Sequence, residues 1–130
     1  MSSRSYEQFC PLAAALDQVG ERWTLLVVRE LLAGPARFGD ISEALPGLAT
    51  NLLTKRLRAL EDQGIVVQRE LPPPARVKVY ELTKRGHALE PVLVAMANWG
   101  TALMQPEHYK DPGNLRGMLL GFRMVPPQIT

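Results

Sequence analysis

A chain of 130 residues with 46% hydrophobic content has the length of one domain with one real core. Its 15 Lys+Arg against 13 Asp+Glu leave a net charge of only +2, which excludes an indiscriminate polyanion binder and requires any nucleic-acid surface to come from local clustering. The single cysteine excludes a disulfide-stapled scaffold.

Pro and Gly cut the chain into short helices. Pro11 suits a first helical position, where its missing N–H costs nothing, and Leu12, Leu16 and Val19 follow at helical spacing. Gly20 interrupts. A second helix is predicted from about Glu21 to Leu32, with Trp23, Leu26, Val27 and Leu31 apolar, stopping at Gly34-Pro35. A third covers about Phe38 to Leu45 and ends before Pro46-Gly47. A fourth covers about Thr50 to Gln63 and ends at Gly64, a suitable C-terminal glycine.

The pattern then changes. Ile65 to Leu71 and Arg76 to Leu82 are short and rich in β-branched residues, and Pro72-Pro73-Pro74-Ala75 separates them. This predicts a hairpin with a stiff proline tip. Thr83 is placed to cap a long last helix through about Met104, kinked at Pro91, with the stripe Leu89, Leu93, Met96, Trp99 and Leu103. Residues 1–105 then form one domain. Residues 106–130 form an extension with a short helix around Leu115, Met118, Leu119 and Phe122, which packs on the domain or crosses to a partner chain. The chain ends on Val125-Pro126-Pro127-Gln128-Ile129-Thr130 without an evident stop, as a fragment would.

The fold class is therefore mainly α with a small antiparallel β hairpin. Two helices joined by a Pro-Gly turn and followed by a hairpin make a winged helix-turn-helix pattern. Charge agrees with it. Residues 51–90 hold eight basic and five acidic side chains, whereas residues 1–50 hold four and six.

With Leu53 at the centre of a helical wheel, Leu57 and Leu60 share its face, while Asn51, Lys55 and Arg58 lie opposite. Thr54 sits on the flank and Arg56 near the edge of the buried face. Asn can pair with adenine and Arg with guanine through two hydrogen bonds each, and Thr54 and Lys55 can hold phosphates. Taken alone, such a face is more often merely solvated; after a Pro-Gly turn and before a hairpin it points to DNA. Arg69, Arg76 and Lys78 lie on or near the hairpin, with Arg76 best placed beside the tip.

Other chemistry is poorly represented. No phosphate-cradling glycine loop, GxSxG or HExxH motif occurs. Cys10, His87 and His108 lie far apart, so no metal site and no cofactor is expected. No apolar run approaches the roughly 20 residues of a membrane span, and the start lacks a signal-peptide pattern, so a cytoplasmic, non-enzymatic protein is expected.

The sequence resembles the HxlR-type family of winged helix-turn-helix transcriptional regulators, relatives of the MarR group. The resemblance is carried by Cys10-Pro11, Gly20-Glu21-Arg22-Trp23, Arg37-Phe38-Gly39-Asp40-Ile41 and Leu45-Pro46-Gly47-Leu48. It continues through Leu53-Thr54-x-Arg56-Leu57-x-x-Leu60-Glu61-x-x-Gly64, Tyr80-Glu81-Leu82-Thr83 with Gly86, and Leu89-x-Pro91-Val92-Leu93. It implies a homodimer on operator DNA, with the first and last helices as dimer interface. By position it assigns Thr54, Lys55, Arg56 and Arg58 to the recognition helix and Arg76 to the wing. Two positions depart from the family pattern. Ala49 stands where a capping Ser is common, so Thr50 is a candidate cap instead, and Lys78 stands where the wing strand is usually apolar.

Cys10 precedes Pro11 at a predicted helix N-terminus, whose partial positive charge favours an anion. In the family this position resembles a redox or electrophile sensor; the alternative is a small residue packed in the dimer interface. Trp23, Trp99, Met96 and Met104 are expected to be core, with an effector pocket between dimer helices as the lesser reading. These readings lead to a DNA-binding regulator, a homodimer on a palindromic site, responsive to an oxidant or a small-molecule effector. Repression by promoter occlusion is the simplest mechanism, although activation is equally compatible. A winged-helix module that binds protein partners is the alternative.

Overall fold

The computed structural model describes residues 5–105. The extension expected at residues 106–130 lies outside them. Helix α1 spans Pro11–Val19, with Pro11 in the first turn and extended Cys10 as N-cap. It stops at Gly20, whose N–H donates to the Leu16 carbonyl at 2.8 Å. A Cβ at Gly20 would collide with that same carbonyl oxygen.

Helix α2 spans Thr24–Leu32, so it begins three residues later than the sequence suggests. The cause is Trp23, which adopts a left-handed conformation with φ 78°. A bulky residue takes that conformation only where its surroundings enforce it. Here the ring packs against the core, and the Arg22 guanidinium lies 5.6 Å from the ring centroid. Helix α3 spans Phe38–Ala44 and α4 spans Thr50–Asp62. The chain leaves α4 through Gly64 at φ +73°, a conformation glycine adopts without penalty.

Strands β1 (Val66–Glu70) and β2 (Lys78–Leu82) pair antiparallel, with Val66 opposite Leu82 and Glu70 opposite Lys78. Ala36 adds a rung beyond the hairpin. Its N–H donates to the Tyr80 carbonyl at 3.0 Å and its carbonyl accepts from the Tyr80 N–H at 2.8 Å. This ties the wing to the segment before α3.

The long last helix is broken rather than kinked. Helix α5 covers only Lys84–His87, α6 covers Glu90–Gly100, and a 3₁₀ turn follows at Thr101–Leu103. Pro91 lacks the N–H that a continuous helix would use, so it sits in the first turn of a new one. Thr83 does cap α5: its hydroxyl accepts from the Gly86 N–H at 3.1 Å and approaches the Gly64 carbonyl at 2.6 Å. One side chain thus joins the end of α4 to the start of α5.

The core gathers Val27, Val28 and Leu31 of α2, Ile41 of α3, Leu53, Leu57 and Leu60 of α4, Ile65, Val66 and Leu82. Leu93 is the buried residue of α6. The expected burial of the last helix fails elsewhere in this chain. Trp99 is 77% exposed, Met96 55% and Met104 65%. Leu12, Leu16 and Leu26 are exposed too, and only Trp23 of the proposed core aromatics packs against the interior. The stripe is present, but among the described residues nothing buries it.

Candidate nucleic-acid interface

The first helix of the motif is anchored at its N-terminus. The Asp40 carboxylate accepts from the Arg37 N–H and from the Arg37 guanidinium, both at 3.3 Å. Acid in a first turn also suits the helix dipole. After α3, Gly47 turns at φ +95°, close over the Trp23 ring, and Leu48 buries into the core. The chain then enters α4 at Ala49, whose carbonyl accepts from the Leu53 N–H at 2.9 Å.

Ala49, not Thr50, is the N-cap, and no side chain caps α4. Thr50 is already helical, and the Thr54 hydroxyl donates back to its carbonyl at 3.0 Å. Threonine at such a position commonly satisfies itself on the preceding turn. The first N–H groups of α4 therefore have no side-chain cap and face an exposed surface at Ala49 and Thr50.

Beyond that turn the helix is two-faced. Leu53, Leu57 and Leu60 are essentially fully buried, whereas Asn51, Lys55 and Arg58 are exposed and Thr54 is half-buried. Arg56 departs from this outward set. Its Nε donates to the Arg22 carbonyl at 2.8 Å, and its Nη2 lies 3.9 Å from a Glu21 carboxylate oxygen. This agrees with its place at the edge of the buried face on the helical wheel. The partner could not be foreseen, because it is a backbone carbonyl at a corner expected to be helical.

At the wing, Arg76 is exposed beside the proline tip and left-handed at φ 45°. Lys78 is exposed and the next residue, Val79, is buried. Alternation therefore turns Lys78 outward, which settles the facing that its departure from the family pattern put in question. Arg69 donates to Glu81 at 2.7 Å across the strands, and Gln68 reaches the Glu61 carboxylate of α4 at 3.2 Å. The first contact braces the two strands and the second ties the hairpin to α4; neither has a signal in local sequence spacing. Burial first, then the charge of Glu61, raises the Tyr80 hydroxyl above its ordinary 10.0, and Arg58 opposes this.

Cys10 is half-buried, with a free thiol. Among the described residues, no group of three His, Cys, Asp or Glu could hold a metal ion, and no helix is long and apolar enough to cross a membrane.

A family model described as HxlR-like helix-turn-helix matches residues 18–108. The chain belongs to that family. It is therefore a transcriptional regulator of HxlR/MarR type, and its relatives are regulators rather than enzymes. One relative, the HTH-type transcriptional regulator sll1512 of Synechocystis sp., is 44% identical over 101 residues, covering 75% of this chain and 73% of its own. The HTH-type transcriptional regulator YodB of Bacillus subtilis is 37% identical over 99 residues, covering 75% and 88%. The reduced form of YodB superimposes with TM-score 0.65 at 34% identity, over 76% of this regulator and 98% of that chain. A quinone-bound form of YodB gives 0.62 at 33% identity, over 72% and 99%. The redox regulator HypR, in its reduced form, gives 0.66 at 30% identity over 72% and 92%.

Proposed function

We propose that the regulator is a homodimeric, cytoplasmic repressor that reads a palindromic operator. Helix α4 would lie in the major groove and the hairpin against flanking DNA. The observation that carries the reading is the split of α4. Leu53, Leu57 and Leu60 are sealed in the core, while Asn51, Lys55 and Arg58 stand together on the outside with Thr54 at their flank. Asn51 and Arg58 would read base edges, and Thr54 and Lys55 would hold phosphates. Arg76 and Lys78 would contact the backbone from the wing. Two-fold symmetry puts half-sites about one helical turn, or a multiple of it, apart. The exposed apolar faces of α1 and α6 support the dimer. Residues 1–105 would form the functional domain, and residues 106–130 an extension on the domain or its partner.

Salt titration tests the DNA contact. Affinity should fall steeply with salt, and Lys55→Ala should reduce the slope by about one. A flat response would favour a protein-binding module instead. Capture of genomic fragments would then reveal whether the recovered sites are palindromic.

We further propose that oxidation or alkylation of Cys10 changes DNA affinity. The half-buried thiol at the head of α1 supports this, as do the quinone-bound form of YodB and the redox regulator HypR among its relatives. With one cysteine per chain, the reversible products would be an intersubunit disulfide, a mixed disulfide or a sulfenic acid. A mild oxidant should release wild-type protein from DNA and leave Cys10→Ser bound. Equal sensitivity of the two would refute thiol sensing and favour a non-covalent effector.

A further inference from the structure

We propose that Arg56 is a positioning residue: it does not touch DNA but fixes the angle at which α4 presents Asn51, Lys55 and Arg58. This rests on the reading of α4 as the DNA-reading helix. The leucines of α4 sealed in the core, Leu53, Leu57 and Leu60, occupy one narrow stripe, with Leu52 partly buried beside it and Glu61 tied to Gln68 near the C-terminal end. A helix held mainly along one stripe can rock about it. Arg56 lies off that stripe, so its bond to the Arg22 carbonyl, at 2.8 Å, acts on the rocking motion.

The anchor at the other end is stiff. Arg22 precedes the left-handed Trp23. The Trp23 ring lies under the Arg22 guanidinium and within van der Waals reach of where a Cβ on Gly47 would stand, in the turn that leads into α4. The α1–α2 corner thus touches the motif at the turn and at the recognition helix. The Arg56 side chain is only 19% exposed, and the Glu21 carboxylate, 48% exposed at 3.9 Å, adds little to the carbonyl bond. Lysine cannot reproduce the planar Nε donor held at this position, being a point charge at the end of an unbranched stem.

The consequence concerns selectivity. Paired hydrogen bonds to base edges need an exact angle, whereas phosphate attraction tolerates displacement. Arg56 should therefore matter for the right sequence and hardly for DNA in general.

The test is fluorescence anisotropy at about 50 to 200 mM salt. One duplex is that selected in vitro by the wild-type protein, and the other is a random sequence of equal length. Wild type, Arg56→Lys, Arg56→Gln and Lys55→Ala are compared, each with a melting curve. Both Arg56 variants should lose on the order of ten-fold on the selected duplex, with less than about two-fold loss on the random one and an unchanged salt slope. Lys55→Ala should weaken both duplexes and lower the slope. If Arg56→Lys binds like wild type while Arg56→Gln weakens both duplexes with a reduced slope, Arg56 is a phosphate contact and the inference is wrong. A lowered melting temperature with unchanged selectivity would make it merely a stabilising residue, which also overturns the inference. Should Lys55→Ala bind both duplexes like wild type, the reading of α4 fails and takes this inference with it. If Arg56→Gln does not fold, Arg56→Lys decides, since it keeps the charge and removes the planar Nε donor.

Discussion

Helices α4 and α6 are both amphipathic, yet among the described residues the apolar stripe of one is covered and that of the other is not. In α4 every leucine that defines the stripe is at least nine-tenths covered or flanks the core, and the outer face is charged. In α6 only Leu93 is buried, while Val92, Met96 and Trp99 stand in the open, continued by Leu103 and Met104. Across the chain, α1 repeats the pattern with Leu12 and Leu16. Exposed apolar area of that kind is uncommon on a monomer and marks a surface awaiting cover. On the proposed reading the difference separates two tasks: α4 is held along its leucine stripe so that its outer face would read DNA, whereas the exposed face of α6 would serve association.

The comparison can be broken first at the buried end. Leu57→Ala empties a site that is 1% exposed among the helices, and should cost about 3 kcal/mol. Denaturant unfolding at fixed protein concentration measures it. A loss below about 1 kcal/mol would mean that α4 is not sealed as described. At the open end, Trp99→Glu should leave the fold of one chain intact, because the ring contributes little to its core. It should instead shift sedimentation towards monomer and weaken association by at least about ten-fold, roughly 1.4 kcal/mol. A Trp99→Glu protein that sediments as wild type would remove α6 from the interface.

The same contrast explains what could be read without coordinates. Helix α4, the hairpin, the Pro11 start and the Thr83 cap were legible because each has a local chemical cause: a leucine period, β-branched runs around a proline tip, a ring that fixes φ, a hydroxyl at the right offset. Trp23 was not, since its left-handed backbone goes with a ring set against Arg22, the Gly47 turn and the core, contacts that periodicity does not report. Nor was the exposure of Trp99 and Met96. Periodicity reports that a stripe will be covered but carries no information on whose chain covers it. Arg56 was half legible, placed at the margin of the buried face by the wheel but without its partner. Lys78 became legible only once Val79 was seen to point inward.

The smallest expected effect lies where wing meets α4. Tyr80 is packed there, and burial followed by the charge of Glu61 holds its hydroxyl above the ordinary 10.0, against the opposing charge of Arg58. The folded protein therefore resists deprotonation more than the unfolded chain does. The stability this represents is fully present below about pH 10, the unfolded value, and is lost as pH rises through the higher folded value. Binding assays near neutrality should consequently be insensitive to this group. Unfolding free energy measured from pH 8 to 11 should decline above pH 10 in the wild type, and less steeply in Tyr80→Phe, which has nothing to ionise there. No such site exists among the exposed apolar residues of α6, so Trp99→Glu should leave this alkaline limb unchanged. An equal decline in wild type and Tyr80→Phe would show that the wing does not shield Tyr80, and that the α4 side is less closed than its leucines suggest.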